Sequence, residues 1–270
     1  MLEALYQVPT FVLLLMAVAI ALVLACGGQV LVHRRFGSAD FVRHNEVGGF
    51  IIAVVGTLYA VLLGFLTTSV WEHFTEAQQH AASESSAAAN AWHTAVGLPY
   101  AVRSRIRGKM NSYADIMIAD EWPAMRHGGF STKADFALMD AMSAAGDYVP
   151  ANAREANAQL ITQEQLSRVH DERQRRLTNN DSAVSWFEWL VLLIGAVCVV
   201  GFCWLFGVQN AGVHLLMTAA VAIVVVSVLV LLFELQYPFR SDLGVPPDAW
   251  SSFIEHIHLM QNAGQMDMRM

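Results

Sequence analysis

Charge is scarce in this chain. Only 14% of its 270 residues are Asp, Glu, Lys or Arg, while 55% are hydrophobic, a balance foreign to soluble globular domains. Cysteine is scarcer still. Cys26, Cys198 and Cys203 all lie in apolar runs, so the long polar region has no thiol for a disulfide framework or a zinc site. A basic stripe is missing and the formal net charge is −7, which excludes a nucleic-acid partner. The apolar runs lack any period of two, which excludes the strands of a membrane barrel. No nucleophile in a catalytic setting, phosphate-cradling Gly loop or paired catalytic carboxylates stand out, so neither an enzyme nor a cofactor is expected. The stretch Met1 to Gln7 has Glu3 and no Lys or Arg, whereas secretory leaders begin basic. Val23-Leu24-Ala25-Cys26 is a faint lipoprotein box, and the first apolar run is expected to remain as a membrane helix.

Four apolar stretches are present in its place: Val8 to Val32, Val47 to Val70, Trp186 to Gly207 and Val213 to Leu235. Each approaches the roughly 20 residues a helix needs to cross a bilayer. The fold class predicted is an all-α membrane protein with four transmembrane helices in a 2 + 2 arrangement. Residues 1–70 form the first pair, 71–185 a large polar helical insert, 186–235 the second pair and 236–270 a tail. Within the insert, Gly and Pro cluster at Gly97-Leu98-Pro99, Gly128-Gly129 and Gly146 to Pro150. Those breaks predict helices over Trp71–Val96, Tyr100–Met125, Thr132–Ala145 and Ala151–Thr178. Glu121-Trp122-Pro123 is expected to end a helix at a corner, because proline disfavours helix in the residue before it. Trp71, Trp186, Trp189 and Tyr237 sit where interfacial aromatics do, and Glu188 and Glu234 are expected to reach water.

The second run is two-faced. At 100° per residue, Gly49, Ala53, Gly56, Thr57, Ala60, Gly64, Thr67, Thr68 and Trp71 share one side. A small-residue line lets helix backbones approach closely, and part of it could instead line a pore between copies of the chain. No breaker separates Gly49 from Val96, so membrane and polar parts are expected to share one helix of roughly 70 Å.

Val61 to Phe74, "VLLGFLTTSVWEHF", resembles the second helix of bestrophin-type channels. Together with His44 to Phe50 (HNEVGGF), Gly56 to Phe65 (GTLYAVLLGF), Arg107 to Met125 (RGKMNSYADIMIADEWPAM) and Tyr237 to Trp250 (YPFRSDLGVPPDAW), it makes the whole chain similar to the bacterial bestrophin-like family. This resemblance implies a homo-oligomer, commonly a pentamer, in the plasma (inner) membrane. It also implies a passive path for inorganic ions, with chloride the expected one, and an insert in the cytoplasm. By position, Thr57, Val61 and Phe65 would form the pore neck, while Gly56, Ala60 and Gly64 would pack against a neighbouring helix. Calcium-regulated bestrophins carry a dense acidic run after Pro-Phe. Here only Asp242 and Asp248 follow Pro238-Phe239, too few oxygen ligands for a calcium clasp.

Other clusters have plainer readings. Arg103, Arg105, Arg107 and Lys109 could concentrate anions in a vestibule. They and Arg168, Arg173, Arg175 and Arg176 are otherwise solvated, or pair with Asp115, Asp120, Glu121, Asp171 and Glu172. The insert holds more acidic than basic residues, so net charge lends anion selectivity no support. His73, Glu76 and His80, and Glu255-His256-Ile257-His258, lack a second ligand set, and no metal site is expected. Charge counting is divided on orientation: Arg34, Arg35 and Arg43 put the first loop inside, and the arginines before the third run put the insert inside. The alternative function is a membrane-anchored scaffold or sensor without conduction.

Overall fold

The computed structural model describes residues 5–6, 8–36, 41–42 and 44–267, with side chains through 260. Arg43, one of the orientation charges, lies outside the described residues. Every regular element among them is helical: α1 (Thr10–Phe36), α2 (Asn45–Thr94), α3 (Tyr100–Ile116), α4 (Trp122–Arg126), α5 (Thr132–Gly146), α6 (Ala153–Thr178), α7 (Trp186–Trp204), α8 (Ala211–Leu235) and α9 (Asp248–Asp267). Four helices, α1, α2, α7 and α8, are long and apolar enough to cross a bilayer. The chain divides into two compact units. Met1–His73, Ser182–Gln236 and Ser241–Leu243 form one; Phe74–Asp181, Tyr237–Arg240 and Gly244–Met270 form the other. The expected long helix is real: α2 runs 50 residues without a break and contributes to both units.

In the first unit α1 packs chiefly on α8, and α7 packs against both. Aromatic rings fill close approaches at two glycines. A side chain at Gly28 would run into the Trp204 indole, and one at Gly195 into the Tyr59 ring. Polar tips then find backbone partners, as they must where water is absent. Tyr59 Oη donates to Leu192 O at 3.2 Å and Trp204 Nε1 donates to Ala25 O at 2.8 Å. Asn45 clamps the α7–α8 link reciprocally, donating to Gly207 O at 2.8 Å and accepting from Gly207 N at 3.0 Å. Helix starts follow their cap residues. Ser185 and Glu188 form a capping box on α7, and Asn210 Oδ1 accepts from the amides of Gly212 and Val213. Glu234 departs from expectation: it is buried, not wet, because Thr10 at the start of α1 covers it and donates from Oγ1 to Oε2 at 3.0 Å.

In the second unit the Ala-rich half of α2 buries Ala77, Ala81, Glu84, Ala88 and Ala91 at helical spacing. Side chains this short allow α3 and α6 to come close. A side chain at Gly97 would meet Ala158 Cβ at 2.6 Å. Ile106, Met110, Tyr113, Met117, Leu138, Leu166, Trp250 and Phe253 complete the core, with Trp250 edge-on to Tyr113 at 5.4 Å. Most of the tail thus folds with the insert. Pro123 does not make the expected corner. Met117–Glu121 widens into a π turn, in which Trp122 N bonds Met117 O, and α4 continues to Arg126. The wider turn accommodates a residue that has no N–H and would crowd the carbonyl four positions back. The actual break follows at Gly128, whose φ of 72° is a left-handed conformation that favours glycine.

Candidate functional site: the exposed face of the second helix

The face of α2 that carries Thr57, Val61 and Phe65 is covered by none of the described residues of its own unit. Val61 is 51% exposed and Phe65 72% exposed, while on the opposite side Tyr59 and Val70 are buried. An open groove runs along the exposed side, lined by Val61, Gly64, Phe65, Thr68, Ser69 and Glu72. Gly56 and Gly64 have no atom of the described chain within 4 Å of where a Cβ would sit, apart from their own helix and chain neighbours. Ala60 is exposed. Whatever packs on this small-residue line is therefore not supplied by the described part of the chain. The threonines of the span spend their hydroxyl protons on their own helix. Thr57 donates to Ala53 O at 2.7 Å, Thr67 to Leu63 O at 2.7 Å and Thr68 to Gly64 O at 3.0 Å. Back-bonding of this kind lowers the polarity that a threonine presents sideways.

Of the basic cluster on α3, Arg107 lies 3.8 Å over the Trp92 ring and donates to Trp92 O at 2.9 Å. Burial, with Arg103 behind it, lowers the Arg107 guanidinium below its ordinary value. Lys109 Nζ pairs with Asp140 at 2.6 Å, Arg103 sits over Tyr100, and Arg105 is exposed. His93 Nε2 meets His256 Nε2 at 3.1 Å. Burial first, then the charges of His256 and Arg107, lower the His93 imidazole. His80 Nδ1 is taken by Glu172 at 2.7 Å. No group of three or more His, Cys, Asp and Glu that could hold a metal occurs among the described residues.

The second unit also holds a closed ionic cluster. Glu84, Glu121, Arg173 and Arg176 are fully buried. Arg176 Nε donates to Glu84 Oε2 at 2.6 Å and its Nη2 to Glu121 Oε1 at 3.1 Å. Arg173 grips Glu121 with Nε at 3.1 Å and Nη2 at 3.2 Å, and Asp135 with Nη1. Tyr113 Oη donates to Glu84 Oε1 at 2.5 Å, and Ser131 N donates to Glu121 Oε2 at 2.7 Å. Burial works against the charge on Arg176, but Glu84 and Glu121 outweigh it and raise the guanidinium above its ordinary value. Burial, then the Glu84 carboxylate, hold the Tyr113 phenol well above its own. The Arg–Glu121 pairing was an option in the spacing. Glu84 was overlooked; the clue was one carboxylate alone in an Ala/Ser tract, with Arg173 and Arg176 three residues apart on one face.

The family model of the Bestrophin-like domain matches residues 19–250. The chain belongs to the bestrophin-like family. No curated protein matches it. Two solved structures share the bestrophin-like fold. One is a bacterial bestrophin homolog from Klebsiella pneumoniae carrying an isoleucine-to-threonine mutation. It is 14% identical, with a TM-score of 0.66, and the match covers 88% of this chain and 98% of that one. The other is a membrane protein with a proline-to-alanine substitution. It is also 14% identical, with a TM-score of 0.65, and the match covers 88% and 96% of the two chains.

Proposed function

We propose that the protein is an oligomeric ion channel whose narrow path is lined by α2. The observation that carries this reading is the uncovered face of that helix. Val61 and Phe65 project from a span that meets no partner there among the described residues of its own unit, beside glycines with open space. A ring of copies would use both features. Gly56, Ala60 and Gly64 would seat a neighbouring copy's helix, and Thr57, Val61 and Phe65, spaced i, i+4, i+8, would face the axis as a neck. An apolar neck of that kind can gate by dewetting, with no chemistry required. Thr57 suits it because its hydroxyl proton already belongs to Ala53 O.

The bestrophin resemblance supports five copies, a 2 + 2 crossing of the plasma membrane, residues 71–185 as a cytoplasmic insert, and the basic residues Arg103 and Arg105 near the ion path. Chloride is the ion the resemblance offers. The neck, being uncharged, sets where ions pass and not which sign is preferred.

Ion flux from liposomes holding the purified full chain tests the proposal, with Phe65→Ala beside the wild type. Faster flux through the variant is expected, since a smaller, less apolar ring wets more readily. An intact oligomer that passes no ion in either form would leave a non-conducting scaffold in place of a channel.

A further inference from the structure

Two histidines far apart in the chain meet within the second unit. His93, near the end of α2, and His256, in α9, bring their Nε2 atoms to 3.1 Å, with ring centroids 5.2 Å apart. In the sequence the tail histidines lack a second ligand set. The fold supplies one from another helix. Both rings stand on backbone that the core holds: Ala91, Trp92 and Ala95 are buried around His93, and Phe253 and Ile257 bracket His256. The Trp92 ring also meets the His93 ring edge-on at 5.1 Å. Neither imidazole is itself buried, so an ion can enter from solvent.

The spacing suits shared coordination. A zinc–imidazole bond is about 2.0–2.1 Å long. Two such bonds to nitrogens 3.1 Å apart enclose an angle of about 100°, between the square-planar and the tetrahedral value. Without a metal the same contact is a hydrogen bond from one Nε2–H to the other nitrogen. An ion takes its place once that ring carries its proton on Nδ1, the other neutral tautomer.

We propose that His93 and His256 form a two-histidine site for a nitrogen-seeking divalent ion, Cu(II) foremost and Zn(II) or Ni(II) after it, which clips α9 to the end of α2. Two neutral imidazoles bring no negative charge, so Mg(II) and Ca(II), which need several oxygen ligands, are not held. Arg107 places positive charge near His93, although its guanidinium is drawn over the Trp92 ring at 3.8 Å. That charge weakens binding of every cation, and the strongest nitrogen binder overcomes it best. Water fills the remaining positions, which makes the ion exchangeable, unlike the closed four-ligand centres of structural zinc sites. The site stands whether or not the chain conducts ions.

Calorimetric titration of the full-length protein with Cu(II), Zn(II) and Mg(II) tests the assignment, after any affinity tag has been removed and bound metal stripped with a chelator. Copper is expected to bind most tightly, zinc more weakly and magnesium not at all. His93→Gln and His256→Gln should each weaken copper binding by at least about 100-fold, the upper end of what loss of an outer-shell partner costs. The double variant should be no weaker than either single one, because one missing ligand already opens the site. His258→Gln, which lies on the other side of α9, should bind as the wild type does. The electron paramagnetic resonance spectrum of the copper-loaded wild type should show coupling to two imidazole nitrogens, a readout that needs no variant to fold. A wild type that binds no copper, a spectrum without that coupling, unchanged affinity in His93→Gln or His256→Gln, or an equal loss in His258→Gln overturns the assignment.

Discussion

The two units solve opposite problems. The first leaves apolar surface bare: along α2, Val61 and Phe65 stand exposed while the buried positions Tyr59 and Val70 are few. The second buries charge: two carboxylates and two guanidinium groups are shut away with their partners. Exposed apolar side chains are inexpensive in hydrocarbon, where helix association is driven by close packing rather than by water. Buried ions are tolerable only when nearly every donor and acceptor is met. Surface is therefore the unfinished part of the first unit, and the interior is the finished part of the second.

The largest expected effect comes from breaking the finished interior. Arg176→Met removes the donor shared by Glu84 and Glu121 and leaves two buried carboxylates undercompensated. Loss of one partner from a buried pair costs about 3–5 kcal/mol, and at about 2–4 °C per kcal/mol for a unit of this size the midpoint falls by roughly ten degrees. Thermal unfolding of the purified full chain measures it. Glu84→Gln combined with Arg176→Met should restore part of the loss, because the uncompensated charge goes with its partner. Equal melting of wild type and Arg176→Met would show the cluster to be solvated.

A smaller effect separates glycines that are filled from glycines that are open. At Gly195 the Tyr59 ring occupies the space of a side chain, so Gly195→Leu should overpack the first unit at a cost of about 1–3 kcal/mol and lower its melting midpoint. Gly56→Leu and Gly64→Leu meet open space in the chain itself. Their melting within one subunit should hold while the oligomer, sized by multi-angle light scattering, dissociates. If both open-space variants keep the wild-type oligomer, the line does not seat a neighbour.

The extent of the helices was readable because it follows from runs of one kind of residue. Twenty apolar residues, or Gly and Pro at a break, are local signals. Tyr100 and Thr132 begin helices at the positions expected. Pro123 misled because its effect depends on the turn before it, and Met117–Glu121 could widen. The ionic cluster was mostly hidden for another reason. Glu84, Glu121 and Arg176 are far apart in the chain, and an isolated charge in a sequence looks solvated until a fold removes the water. The glycines show the same limit: Gly28 and Gly195 resemble Gly56 and Gly64 in sequence, and only the distant rings of Trp204 and Tyr59 distinguish them. Likewise the small line on α2 was visible, but that it faces away from its own unit was not.

The smallest effect concerns charge in water, at the start of α6. Asn152 Oδ1 accepts from Glu155 N at 3.0 Å, and Glu155 in turn accepts from Ala151 N at 2.8 Å and from Tyr148 Oη. The Tyr148 hydroxyl, with the Ala151 amide next, lowers the Glu155 carboxyl below its ordinary value. A value lowered by folding means that the contribution is complete above the unfolded carboxyl value of about 4.3 and is lost as pH falls through the lower folded value. Glu155→Gln should therefore weaken the second unit slightly at neutral pH. Its difference from wild type should close as pH drops below about 4. Melting curves between neutral and acid pH read this directly, and a difference that widened toward acid would mean that Glu155 is held by something other than its charge. Because this cap lies at the surface, its loss should leave the ionic cluster and the α2 face unaltered, so any ion flux measured for the wild type should not change with it.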